Sequence, residues 1–247
     1  MNLIIFGPPG AGKGTQSNNI VNDFGLKQVS TGDLLRNEIK LQTNLGKKNE
    51  SIINKGELAS DDTVNILIEK IILDPNNFNK LIFDGYPRTI SQIYSLEKLL
   101  KRSNQKISIV LSLNVDKNII SKRINGRIIC SKCFKIFNIY FNPPNSENHE
   151  CDKKYLKKRI DDNSKTILGR FETYVTKTKP ILDYYKKKGS FCEINANQKI
   201  DEIYSKIRDI LENIIYWHYA YFLYKFPWKN LTSLIYDPYS RYQYSSK

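Results

Sequence analysis

Asn2-Leu-Ile-Ile-Phe-Gly-Pro-Pro-Gly-Ala-Gly-Lys-Gly-Thr15, or NLIIFGPPGAGKGT at positions 2–15, runs an apolar strand straight into a glycine-rich turn and a helix start. Asn2–Phe6 has the continuous apolar character of a strand buried on both faces of a parallel sheet. Gly7, Pro8, Pro9, Gly10, Ala11, Gly12 and Lys13 then spell G-x-x-x-x-G-K, a phosphate-cradling loop set between a strand and a helix N-terminus. Glycines let backbone N–H groups converge on an anion because no Cβ blocks the approach. The helix adds its positive end, and Lys13 adds a mobile charge. One departure stands out: the hydroxyl residue that usually follows the lysine is displaced by Gly14 and comes one step later, at Thr15.

A chain of 247 residues, 40% hydrophobic and 26% charged, has the composition of an ordinary soluble protein and can bury a sizeable core. No apolar run is long enough to span a bilayer, and with the loop starting so near Met1 no leader is expected. The expected compartment is the cytoplasm. The net charge of +14 suits a phosphate-rich ligand or a nucleic acid, although lysine is scattered along the chain and supplies most of the excess. Four cysteines do not make a disulfide framework at this length.

Beyond the loop, strands and helices alternate. Strands are expected to end at Val29 and to cover Lys80–Asp84, Ile107–Leu113 and Ser190–Asn195. Between them, two or three helices fill residues 31–73, punctuated by Gly46, Gly56 and Asp61-Asp62. Further helices are expected over Ile90–Lys101, Asp116–Ile124 and Ser164–Lys188, and from Lys199 on. This order predicts a parallel sheet with helices on both faces. Residues 125–163 break the pattern with turns, two prolines and a Cys-x2-Cys pair, and read as a small inserted module. Cys192, in the last strand, reads as a buried small hydrophobe.

The separated motifs GPPGAGKGT (7–15), STGDLLR (30–36), DGYPRT (84–89) with Gln92, RINGR (123–127) and RIDD (159–162) with Arg170 resemble the adenylate kinase family in kind and order over about residues 1–213. The resemblance implies a P-loop α/β fold: a core of 1–29, 60–124 and 164–213, a helical AMP-binding insertion at 30–59 and a small β-rich lid at 125–163. It also implies transfer of a phosphoryl group from ATP to AMP, with Mg2+. Donor-side contacts fall on Gly10, Ala11, Gly12, Lys13, Gly14, Thr15, Arg123, Arg127, Ile136, Phe137 and Gln198. Acceptor-side contacts fall on Thr31, Arg36, Glu57, Leu58, Ala59, Gly85, Tyr86, Pro87, Arg88, Gln92, Arg159 and Arg170. Asp84, with Thr15, is expected to hold Mg2+ through water. Such arginines suit the task because a guanidinium fork grips phosphate oxygens in pairs and disperses charge on the moving group.

In the same module Cys130, Cys133 and Cys151 resemble the zinc-binding lids of this family, in which a fourth Cys or Asp follows the third ligand by three residues. That position is Lys154, which leaves His149 or Asp152 as the fourth ligand, or a site that has lost its metal. The family implies a monomer acting on small nucleotides, with no nucleic-acid partner. Two other functions fit the sequence less closely: a GTP:AMP phosphotransferase, and a nucleic-acid-associated P-loop ATPase. Residues 214–247 lie beyond the resemblance and carry half of the sixteen tyrosines and both tryptophans. They read as a helix extension up to Pro227, or as an aromatic docking tail.

Overall fold

The computed structural model of the chain describes residues 1–158, 162 and 164–225. The chain divides into two units, Met1–Ile203 and Tyr204–Lys247. The first is built on β1 (Asn2–Phe6), β2 (Lys27–Ser30), β3 (Leu81–Asp84), β4 (Ile107–Asn114) and β8 (Phe191–Asn195), all parallel, in the order β2-β3-β1-β4-β8. Because side chains alternate along a strand, Ile4 and Phe6 of β1 enter one buried cluster while Leu3 and Ile5 face the other side. That cluster takes in Val64, Ile68 and Ile72 of α4 (Asp61–Ile72), Ile93, Leu96 and Leu100 of α5 (Ile90–Arg102), and Ile181 and Tyr185 of α8 (Lys179–Lys187). Helix α1 (Lys13–Phe24) packs on β1 and β3. The sequence therefore specified the α/β body with its parallel sheet.

Four local expectations change. Ile107–Leu113 alternates in sequence as ISIVLSL, the mark of a half-buried strand, yet Ile109–Leu113 is buried throughout, Ser112 included at 3% exposure, because β4 is flanked by β1 and β8 and covered on both faces. Cys192 is half-exposed, since β8 is the edge strand of the sheet. The helical run after Ser164 is not uniform. It passes from α7 (Ser164–Thr173) through a wider π turn at Tyr174–Thr178 into α8, and the Lys179 N–H reaches back to Tyr174 O. Pro180, at the start of α8, has no N–H with which to continue a regular α ladder.

Gly46, expected to separate two helices, lies inside the first turn of α3 (Asn44–Lys55). Its role is close packing on α2 (Thr31–Lys40): a Cβ there would stand 2.1 Å from Glu38 O. Thr43 caps α3 by accepting from the Gly46 N–H at 3.0 Å and donating to the Glu38 carboxylate at 2.6 Å. A second, antiparallel sheet in the order β6-β5-β7 joins β5 (Arg127–Cys130), β6 (Ile136–Asn138) and β7 (Leu156–Lys157), just after α6 (Lys117–Asn125). The second unit holds α9 (Ile200–Lys225) from Tyr204 onward, so the helix does extend through Ile214–Lys225; the rest of the aromatic tail lies outside the described residues. No helix among the described residues is long and apolar enough to cross a membrane.

The contrast between two helical glycines is testable by chemical denaturation. Gly46→Ala drives a methyl into backbone and should lower the unfolding free energy by ~2 kcal/mol. Gly169→Ala, whose Cβ would meet only Lys55 O at 3.7 Å, should be neutral or stabilising by up to ~1 kcal/mol. Equal effects would show that the α2–α3 contact does not constrain the fold.

Candidate active site and lid metal centre

At the C-terminal ends of the parallel strands lies a cleft of about 1250 Å³. Open α/β sheets place ligands at this end. The phosphate loop forms its floor. Gly7, Gly10 and Gly12 all have positive φ, and Gly12 caps α1 with no side-chain hydrogen bond. Gln16 N–H, bonded to Gly12 O at 3.0 Å, closes the first turn of α1, so the amides of Lys13, Gly14 and Thr15 are those that a helix start offers to an anion. Lys13 folds back on the loop and donates to Gly7 O at 2.9 Å and Pro8 O at 3.3 Å. Burial pulls its pKa down to about 8; Asp84 opposes that fall, while Arg88, Arg127 and Arg170 add to it.

Asp84 ends β3 and accepts from Gln28 Nε2 at 3.0 Å, which orients its carboxylate at the cleft wall. Burial also lowers the pKa of Arg88, again against the attraction of Asp84. Arg88 Nε donates to Gly85 O at 2.7 Å. Thr31, which donates to Gly85 O at 2.9 Å, Arg36, Glu57, Leu58, Ala59 and Gln92 line the same end of the cleft. Leu35, Ile53, Ala59 and Val64, each under 10% exposed, supply apolar walls there. Arg36 is paired with Asp33 at 2.5 Å. Arg170 enters from α7 and packs against Gly56, where a Cβ would meet its Cγ at 3.0 Å. Tyr86 and Pro87 are buried and do not line the cleft; Tyr86 belongs to the buried core cluster, and its hydroxyl donates to Asn65 Oδ1 at 2.7 Å. Arg159 lies outside the described residues.

On the loop side, Arg123 is anchored to Ala11 O at 3.3 Å and Ala196 O at 2.8 Å, and its guanidinium lies over the Phe141 ring at 5.8 Å. Arg127 forms a two-pronged ion pair with Asp162, its Nε donating to Oδ2 at 2.7 Å. Gly10, Ala11, Gly14, Thr15 and Gln198 line the cleft. Ile136 approaches the loop so closely that a Cβ on Gly14 would lie 2.8 Å from its Cδ1. Phe137 also lines the cleft, with its ring edge-on to His149 at 5.0 Å. Sequence reasoning missed Lys135, Lys157 and Lys158, which bring further positive charge to the cleft. It also missed Asp61 and Gln28, which touch predicted site residues through hydrogen bonds formed only in the fold.

In the antiparallel module, the ligand-type atoms of Cys130, Cys133, His149 and Cys151 lie within 4.8 Å of one another. The turn after β5 wraps the first sulfur, with Lys132 N–H and Cys133 N–H each donating to Cys130 Sγ at 3.4 Å. Burial would raise the Cys130 pKa, but those N–H groups and His149 outweigh it and bring the thiol down to about 6. Cys151 is pushed the other way, to about 11, by burial and by its neighbouring sulfurs. His149 Nε2 is buried and has no hydrogen-bond partner among the described residues, as expected of a nitrogen reserved for a metal. Asp152 stands outside this group. It is exposed, caps the turn at Lys153–Tyr155 and pairs with Lys154 at 3.3 Å. Three thiols and one imidazole are a tetrahedral zinc donor set, and this group could bind zinc.

The family model for adenylate kinase matches residues 5–190. An adenylate kinase of Pelagibacter ubique is 46% identical over 212 residues, covering 86% of this chain and all of that protein. Those of Bacillus subtilis and Archaeoglobus fulgidus are 40% and 38% identical, covering 85% and 87% of this chain and 98% and 99% of their own lengths. With the strand–loop–helix anion site, the arginine-lined cleft and these similarities in agreement, the chain belongs to the adenylate kinase family.

Proposed function

We propose that this cleft passes the γ-phosphoryl group of ATP directly to AMP and releases two ADP. The observation that carries the reading is that the phosphate loop and a separate apolar slot with its own arginines open into one cleft. A phosphate oxygen of AMP, already anionic, attacks the γ-phosphorus as the bond to the β-phosphate oxygen breaks. No side chain need remove a proton, so positioning and charge dispersal carry the catalysis.

In this reading Lys13, Arg123 and Arg127 face the donor phosphates, and Arg36, Arg88, Arg159 and Arg170 face the acceptor. Asp84 and Thr15 would hold Mg2+, which neutralises phosphate charge and aligns the donor when bound. Residues 30–59 act as the acceptor flap and 125–163 as the lid that keeps water from the transferred group. The protein works as a monomer, the form that the family resemblance implies, and the cytoplasm is the compartment expected from its sequence.

The direct test compares AMP, CMP, UMP and GMP as acceptors, with ATP and GTP as donors. ATP with AMP should be the best pair, and Lys13→Ala should lower kcat by ~10²-fold or more while the fold stays intact. Transfer to none of these acceptors would overturn the reading. The lowered Lys13 pKa adds a pH signature. Below pH about 8 the lysine is charged in the free enzyme and attracts phosphate; above it the charge is lost. So kcat/KM for MgATP should fall as pH rises past 8, and a profile still rising at pH ~9.5 would contradict the assignment.

We further infer that Cys130, Cys133, His149 and Cys151 hold a structural Zn2+ in the lid, closing a module too small to have its own core. Metal analysis should find about one zinc per chain, and chelation should lower Tm by several degrees. His149→Ala should lose the metal and Asp152→Ala should keep it. Equal Tm values with and without zinc would refute the site.

A further inference from the structure

The acceptor slot ends on a run of hydrogen bonds that leads back into the protein. Gln92, in the first turn of α5, is 2% exposed and lines the cleft. Its Nε2 donates to Asp61 Oδ1 at 2.7 Å, and its Oε1 accepts from the Arg88 N–H at 2.7 Å. Asp61, the first residue of α4, uses its other oxygen to accept from Thr89 Oγ1 at 2.9 Å. Thr89 Oγ1 in turn accepts from the Gln92 N–H at 3.1 Å and caps α5.

These partners have fixed polarity. A backbone N–H can only donate, and a carboxylate oxygen only accept. The two ends of a side-chain amide are nearly alike in shape, so an unsupported glutamine can present either face. Here the reversed amide would set NH2 against the Arg88 N–H and oxygen against a carboxylate, two repulsions in a site shielded from water. One orientation survives, with one N–H of Nε2 and one lone pair of Oε1 still unused.

That remaining pair is complementary to only one kind of purine edge. Adenine offers a ring-nitrogen acceptor beside an amino donor. A 6-oxopurine offers the reverse, a ring N–H donor beside a carbonyl acceptor, and would need the flipped amide. We propose that Asp61 is a specificity-determining positioning residue: by fixing the Gln92 amide, it makes the acceptor slot select adenine over 6-oxopurines. The proposal rests on the reading of this slot as the acceptor-base site.

The test measures kcat/KM for AMP and for inosine monophosphate, with ATP as donor, in wild type, Asp61→Ala, Asp61→Asn and Gln92→Ala. Wild type should favour AMP by ~10³-fold or more. Asp61→Ala should cut that ratio by about tenfold or more, raising KM for AMP while KM for ATP stays within about twofold. Asp61→Asn keeps an acceptor oxygen but loses the fixed polarity of the carboxylate, so its loss of discrimination should lie between wild type and Asp61→Ala. Should Asp61→Ala not fold, Asp61→Ser, which leaves the Ser60 cap of α4 in place and keeps a polar side chain in its first turn but is too short to reach Gln92, should show the same loss. An unchanged ratio in the Ala or Ser variant, or equal loss in Ala and Asn, overturns the positioning role. If Gln92→Ala keeps full discrimination, the acceptor base is not read here and the assignment of the slot itself fails. If Gln92→Ala abolishes discrimination and Asp61→Ala does not, the slot stands and only the role of Asp61 falls.

Discussion

Positive charge held out of water at the C-terminal end of a parallel sheet is the constraint on which the rest depends. Lys13 and Arg88 both have pKa values lowered first by burial, and Asp84 opposes the loss of charge in each. An uncompensated buried cation is costly, so such a cluster persists only where a polyanion completes it or neighbouring oxygens satisfy it meanwhile. The protein does the second with Gly7 and Pro8 carbonyls on Lys13 and with Gly85 O on Arg88. A nucleotide does the first. The strand–loop–helix junction, the carboxylate at the end of β3 and the arginines from α2, α6 and α7 thus serve one electrostatic purpose, which the body of the fold exists to hold in register.

Around that centre, the two ends of the cleft use different physics. The loop side offers backbone N–H groups and charge, which read phosphate and say little about a base. The proposed acceptor side adds apolar walls and a buried amide whose orientation is fixed by partners of known polarity. That contrast explains why a glycine-rich motif identifies phosphate chemistry at once, whereas the proposed base choice would depend on a contact between residues 31 positions apart, Asp61 and Gln92.

The legible part of the sequence was the part written in local signals. The loop at 7–15, the helix over Ile90–Lys101 and the buried runs of β1 and β3 each follow from neighbouring residues, and the order of strands and helices then leaves few topologies. Most of the arginine set came from resemblance, because a single arginine carries no local mark of its partner. Tertiary closeness hid the rest. Gly46 looks like a helix break until α2 is laid against it. His149 could not be separated from Asp152 until the loop after β6 brought the imidazole back to Cys130 and Cys133 and left the carboxylate capping the next turn. Pro180 signals a disturbance, but not that the helix absorbs it as a π turn beside the cleft.

The proposed function requires that this charged cleft hand a phosphoryl group from one nucleotide to another and deny it to water. The most direct measurement follows ATP, ADP and inorganic phosphate together, in the presence of Mg2+, with and without AMP. Two ADP should appear for each ATP consumed, only when AMP is present, with inorganic phosphate near background. Release of inorganic phosphate in step with ATP loss, whether or not AMP is added, would show a P-loop ATPase instead and contradict it.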